Sequence, residues 1–200
     1  MHYLSFDIAT KTLAYCLFNV DHNKLDNDDI NCITLKYGMV DLLNGENDNS
    51  ISTTQRIKLA ADYVRLTILP LIENIKQLTV LVEYQMPQNQ KARVISNSII
   101  SILYFTNPNC HIVIIDPKIK NTVYLSEEGK YYNFVEKYND QYRANKEHTS
   151  FNFNIVIKTL NSVGYKYSID KKEISHVADA FFQMIGYIRL QDKDRLKYLY

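Results

Sequence analysis

The chain predicts an α/β domain with one mixed five-stranded sheet, and two observations carry that reading. Three strand-like segments follow one another near the start, and beyond them helical and strand segments alternate. The changes of period are punctuated by polar loops, a capping box and a proline. A length of 200 residues, 46% apolar and 22% charged, suits a single domain (1–200) with one well-buried core.

Residues 3–8 alternate, with Leu4, Phe6 and Ile8 on one face and Tyr3, Ser5 and Asp7 on the other. The short turn Ala9-Thr10-Lys11 leads to a second strand at 13–20, and a polar loop at 21–29 leads to a third near 31–40. Together these make a three-stranded antiparallel meander. The acidic, turn-rich segment 41–51 reads as an exposed loop. Ser52 followed by Gln55 has the pattern of a capping box, and Ile57, Ala60, Ala61, Val64, Leu66 and Ile68 recur behind it at helical spacing. Pro70 is placed to kink or split this helix. A fourth strand at 78–83 is short and mostly apolar, as expected of a strand covered on both faces. A helix at about 89–105 and a fifth strand at 111–115 follow, and residues 116–150 have the least regular pattern. Helices near 151–163 and 173–190, the latter opened by Asp170, close the domain. This succession is the order of a ribonuclease-H-like fold, in which strands one and four are neighbours.

The formal charge of +1 excludes a strongly basic coat, so any polyanion site must come from a local patch. Three cysteines, Cys16, Cys32 and Cys110, contain no CxxC pair, which argues against zinc and a disulfide framework and fits a reducing, intracellular compartment. The first strand begins by Tyr3, leaving no room for a cleaved signal, and no apolar stretch is long enough to span a membrane.

Three carboxylates stand out because each lies inside or beside an apolar run, where an unpaired charge is costly: Asp7, Glu83 and Asp179. Asp7 and Glu83 converge if strands one and four pair. His176 lies one helical turn before Asp179 and therefore on the same face. Each residue also has a structural reading, as a carboxylate satisfied by turn amides or a helix N-terminus. Convergence of several favours a metal site. Oxygen-rich ligation with one imidazole suits Mg²⁺ or Mn²⁺. Two such ions about 3.5–4 Å apart hold one phosphate between them, which makes phosphodiester hydrolysis the natural reaction class.

Residues 118–166 carry eight basic side chains, among them Lys118, Lys120 and Lys146, against five acidic ones, with tyrosines interleaved. Most read singly as solvated surface; as a patch beside a metal site they are candidates for phosphate contact and base stacking. Lys11 on the first turn, and Lys91 and Arg93 after the fourth strand, are further candidates for contact with DNA.

Several spaced motifs resemble the RuvC-like Holliday-junction resolvases, particularly their poxvirus-type viral branch and fungal mitochondrial relatives. Ser5-Phe6-Asp7-Ile8-Ala9-Thr10-Lys11 is similar to the family's first strand and hairpin, Val82-Glu83-Tyr84-Gln85 to its fourth-strand glutamate, and Asp116-Pro117-Lys118-Ile119-Lys120-Asn121-Thr122-Val123 to its lysine-bearing segment. Ala144-Asn145-Lys146 resembles the second important lysine, and His176-Val177-Ala178-Asp179-Ala180 the C-terminal acid pair. Two departures stand beside these: Ala9 where the family usually has glycine, and His176 where it commonly has aspartate.

The resemblance implies a homodimer that binds a four-way DNA junction and nicks two opposed strands, leaving 5′-phosphate and 3′-hydroxyl ends. It assigns Asp7, Glu83, His176 and Asp179 to two Mg²⁺ or Mn²⁺ ions and Lys146, with Lys120, to the scissile phosphate. No small-molecule cofactor or membrane enters this picture. If the source is viral, the place of action is a host replication site in cytoplasm or nucleus. The helix at 89–105 (Ile95, Ile99, Ile100, Ile102, Leu103) is either the dimer seam or buried on its own sheet. Two other readings stay open: a ribonuclease H or other nuclease of the same fold, and a junction-binding module with weakened catalysis.

Overall fold

The computed structural model describes residues 2–20, 33–162, 164–170 and 173–191; the predicted loop 21–29, Cys32, the start of the third predicted strand and Val163 lie outside them. Strands β1 (His2–Ile8), β2 (Thr12–Val20) and β3 (Ile33–Asp41) form the expected antiparallel meander. Helix α1 (Thr53–Tyr63) continues through a π-helical turn, Val64–Ile68, into the short α2 (Leu69–Ile72). Then come β4 (Leu78–Glu83), α3 (Gln90–Thr106), β5 (His111–Ile115), a 3-10 helix (Pro117–Thr122), α4 (Tyr131–Lys137), α5 (Gln141–Ser162) and α6 (Ile174–Gln191). The sheet order is β3-β2-β1-β4-β5, with β4 parallel to both β1 and β5.

The alternation of β1 divides the core. Leu4, Phe6 and Ile8 face a layer formed by α1 and α3, with Ile68, Ile95, Ile99 and Leu103 buried against them. The opposite face, which carries Ser5 and Asp7, meets α6 and α5 through Phe153, Val177, Ala180, Phe181 and Phe182. Truncating a core aromatic such as Phe6 costs about 3–5 kcal/mol, because lost transfer energy and a new cavity add.

Helix boundaries follow local chemistry. Ser52 and Gln55 make a reciprocal capping box, each side chain taking the other's backbone N–H. Pro70 sits at the start of α2, and the helix passes through a π turn just before it, where the hydrogen-bond register changes. Leu66, counted with the apolar stripe in the sequence, is 68% exposed; the π turn carries it off the buried face.

A larger departure is α5. It begins at Gln141, ten residues before the predicted helix, because the Asp140 carboxylate accepts from the backbone N–H of Tyr142 and Arg143. Its buried stripe includes His148, Thr149 and Asn152, so the apolar periodicity that announces a helix is interrupted by polar residues. Asn152 holds the preceding loop, accepting from Leu125 N and donating to the carbonyls of Gly129 and His148.

Arg56 ties the first turn to the rest. Its fully buried guanidinium donates to the Thr10 carbonyl at 2.6 Å, to the Asp48 carboxylate at 2.6 Å and to the Ile51 carbonyl at 3.1 Å. The loop after β3 is thereby anchored, with Leu42 and Ile51 buried, rather than simply exposed.

Candidate active site

The parallel pairing of β1 and β4 runs to Phe6 opposite Val82, so Asp7 and Glu83 follow side by side at the C-terminal edge of the two strands. Helix α6 crosses the same face and brings His176 and Asp179 over them. His176 Nδ1 lies 2.9 Å from Asp7 Oδ2 and 3.4 Å from the Thr12 hydroxyl. An ionised carboxylate only accepts, so Nδ1 donates its hydrogen to Asp7 and Nε2 is the ring atom left for another ligand.

Two lysines from distant segments complete the cluster. Lys120, on the 3-10 helix, places its ammonium 3.3 Å from Glu83 Oε2 and 3.1 Å from Asp179 Oδ2. Lys146, on α5, lies 2.6 Å from Asp179 Oδ2 and 3.9 Å from Asp7 Oδ2. Asn121 donates to Asn145 at 3.0 Å, so the residues next to the two lysines hold their segments together. Gly186 allows this packing: a Cβ there would meet the Ile119 carbonyl oxygen at 2.8 Å. Thr149, one turn along from Lys146, donates to Asp179 Oδ1 at 2.8 Å.

Burial and charge oppose one another across the site. Burial alone would raise the Asp7 carboxyl, but Lys146, the His176 hydrogen bond and Lys120 bring it down to about 2. Burial pushes Glu83 up to about 7; Lys120 opposes this, and the neighbouring Asp7 and Asp179 charges add to it. Burial works against the charge on Lys120 and Lys146 as well, yet the carboxylates around them hold both ammonium groups protonated, above the ordinary lysine range.

The expected four, Asp7, Glu83, His176 and Asp179, are thus brought together, with Lys146 among them. Lys120, expected with Lys146 at the scissile phosphate, is buried between the Glu83 and Asp179 carboxylates. Lys11, Lys91, Arg93 and Lys118 are exposed, Lys11 pairing with Asp48 at 3.5 Å. Sequence reasoning does not single out Thr149 and Gln183, which hold Asp179 and Glu83 from within the apolar packing. The only sign of Gln183 was a polar residue one turn after Asp179 on an otherwise apolar helix.

A divalent ion suits this donor set in chemistry: three carboxylates surround positions held by ammonium groups, and the His176 imidazole stands on Asp7 beside them. Among the described residues, no three acidic or histidine side chains meet at one point close enough to hold a single ion as they stand. For an ion to bind here, the carboxylates would have to close in as the ammonium groups withdraw. Ala9, in place of the glycine the resemblance expects, is unstrained, since Asn44 is the only non-glycine with positive φ among the described residues. Its N–H closes the turn onto the Thr12 carbonyl at 2.9 Å.

Elsewhere the molecule is less suggestive. A cleft of about 680 Å³ lined by Arg65, Glu73, Lys76 and Asn107 lies at the other, N-terminal edge of β4 and β5, without an acidic cluster. Ile95, Ile99 and Leu103, offered in the sequence as seam or core, are core; the exposed apolar side chains of α3 are Val94, Tyr104 and Phe105. Cys16 and Cys110 are free thiols. Among the described residues, no helix is long and apolar enough to cross a membrane.

No family model and no curated protein matches the sequence. Solved structures do. Thermus thermophilus RuvC in complex with a Holliday junction substrate aligns over 96% of each chain, with a TM-score of 0.52 and 10% identity. The yeast mitochondrial Holliday junction resolvase Ydc2 aligns over 98% of this chain and 83% of its own, with a TM-score of 0.52 and 13% identity. The fowlpox virus Holliday junction resolvase aligns over 96% of this chain and 99% of its own at 18% identity, with a TM-score of 0.48. The likeness to the first two carries the fold: the mixed sheet is the ribonuclease-H-like arrangement of RuvC, as the order of elements predicted.

Proposed function

We propose that the protein is a metal-dependent endonuclease that resolves four-way DNA junctions by paired phosphodiester hydrolysis. One observation supports this above the others. Three carboxylates from β1, β4 and α6, far apart in sequence, meet two lysine ammonium groups at the C-terminal edge of the central strands. Clustering that much buried charge costs stability, and a structural role alone does not account for it. Open α/β sheets place their ligands at this edge, and the structures sharing the fold include junction resolvases.

Asp7, Glu83, His176 Nε2 and Asp179 would hold the metal. A pair of Mg²⁺ or Mn²⁺ ions there supplies an activated water and a Lewis acid for the leaving oxygen. The remaining work belongs to the chain. His176 Nδ1 holds its proton on Asp7 and keeps that carboxylate ionised. Thr149 fixes Asp179 Oδ1 and leaves Oδ2 to a cation. The Lys120 and Lys146 ammonium groups, once exchanged from the carboxylates, are placed to meet phosphate oxygens and the charge that develops on them. Lys11, Lys91, Arg93 and Lys118 would extend phosphate contact beyond the site. Two protomers, each with one such site, would nick opposed strands and leave 5′-phosphate ends.

The test is incubation of a synthetic four-way junction, an RNA–DNA hybrid and a plain duplex with the protein and Mg²⁺ or Mn²⁺. The proposal predicts paired incision of the junction. Preferred cleavage of the hybrid would assign a ribonuclease H instead, and binding without incision a junction-binding module.

A further inference from the structure

Gln183 is fully buried on α6, one turn beyond Asp179, among Ala180, Phe182 and Met184, which are also fully buried. Its amide oxygen accepts from the Ser5 hydroxyl at 3.3 Å, and its amide nitrogen donates to Glu83 Oε2. With Glu83 ionised, the form that can hold a cation, the carboxylate only accepts and therefore faces the NH₂ end. Ser5 lies two residues before Asp7 on the same face of β1, so this neutral bridge joins β1, α6 and β4 directly beneath the acidic cluster.

A buried amide is costly unless both its ends are satisfied, and an apolar side chain of similar length would fill the space without that cost. The need for polarity at position 183 comes from Glu83. Lys120 also engages Glu83 Oε2, so both donors hold the same oxygen of the carboxylate. Unlike Lys120, Gln183 brings no positive charge and does not compete with a cation.

We propose that Gln183 is a positioning residue for metal binding: with Ser5 behind it, it pins Glu83 through Oε2 and presents Oε1 to the ion. This rests on reading the site as a metal-dependent nuclease centre. Residues of this kind, which orient a ligand without touching the metal, change metal affinity by about 10–100-fold when removed.

Two variants separate positioning from plain structural support. Gln183→Met removes the amide and strands the Ser5 hydroxyl; Ser5→Ala combined with Gln183→Met removes the whole polar bridge and leaves an apolar interface. Mn²⁺ affinity is measured by titration calorimetry without DNA, beside the thermal midpoint of the metal-free protein and junction binding in chelator. Gln183→Met should weaken Mn²⁺ by about tenfold or more and leave junction affinity in chelator unchanged. The double variant should regain thermal midpoint while Mn²⁺ affinity stays low. Wild-type Mn²⁺ affinity in Gln183→Met, or recovery of affinity together with stability in the double variant, overturns the inference and leaves the nuclease reading standing. A wild-type protein that binds no Mn²⁺ and cleaves no junction overturns both.

Discussion

Lys146 reaches from the second turn of α5 to within 2.6 Å of the Asp179 carboxylate on α6, and Lys120 meets the same oxygen at 3.1 Å. One carboxylate oxygen thus receives two ammonium groups from two segments. The site's charges are offset from within, so under the proposed function a divalent cation would have to displace ammonium groups already in place.

That competition sets the first prediction. Lys120→Met leaves Glu83 and Asp179 short of a counter-charge and should lower the metal-free stability by about 3–5 kcal/mol, the usual cost of breaking a buried pair. The same change removes a competitor for the carboxylates. The rise in thermal midpoint on adding Mn²⁺ should therefore be larger in Lys120→Met than in the wild type. An equal or smaller rise would mean that the lysine does not occupy the cation position.

The pH dependence follows from Glu83, whose folded pKa is raised to about 7 by burial. A raised carboxyl binds its proton more tightly when folded, so its contribution to stability is present at low pH and declines from the unfolded value, near 4.5, up to about 7. Glu83→Gln should consequently be stabilised relative to wild type above pH 7 and gain little at pH 5, as read by urea midpoints. Asp7 behaves oppositely: its pKa is lowered to about 2, and the stability it lends is lost only as pH falls from 3.8 through that value. A Glu83→Gln difference that is flat between pH 5 and 8 would contradict this account of the site's electrostatics.

Gly186 offers a test of the packing that seats Lys120. Alanine is the better helix former by about 1 kcal/mol, but its Cβ would stand 2.8 Å from the Ile119 backbone oxygen. Backbone cannot yield as a flexible side chain does, so crowding should win and Gly186→Ala should destabilise by about 1–3 kcal/mol. Metal-dependent cleavage should fall as well, since the 3-10 helix must shift. A Gly186→Ala protein as stable and active as wild type would remove this link between α6 and Lys120.

The buried Arg56 clamp is expected to matter more than its charge partner. Arg56→Met orphans the carbonyls of Thr10 and Ile51 and should cost about 3 kcal/mol or more. Asp48→Ala should cost much less, because the Asp48 side chain is 40% exposed and solvent screens its contribution. Denaturant melts of the two variants decide the order.

Much of this was legible in the residues, for identifiable reasons. The alternation of Leu4, Phe6 and Ile8 against Ser5 and Asp7 read the two faces of β1 correctly, because a period of two is unambiguous when one face is apolar. The misplacement of Asp7, Glu83 and Asp179 in apolar runs pointed to the site for the same physical reason that makes buried charge rare. The start of α5 was not legible, since His148, Thr149 and Asn152 occupy buried positions where the pattern expects apolar side chains. The burial of Lys120 was not legible, because one lysine among eight basic residues carries no mark of burial until the fold supplies carboxylates around it. Gln183 was hidden likewise: its partners, Ser5 and Glu83, lie 178 and 100 residues away.

The central claim is that Asp7, Glu83 and Asp179 serve one metal-dependent hydrolytic centre. Its most direct test is the strand-resolved cleavage of a labelled four-way junction in Mn²⁺ by the wild type and by Asp7→Asn. Symmetric incision of two opposed strands by the wild type, with loss of at least about a hundredfold in the variant, is the predicted result. Undiminished cleavage by Asp7→Asn, or none by the wild type in either Mg²⁺ or Mn²⁺, would contradict it.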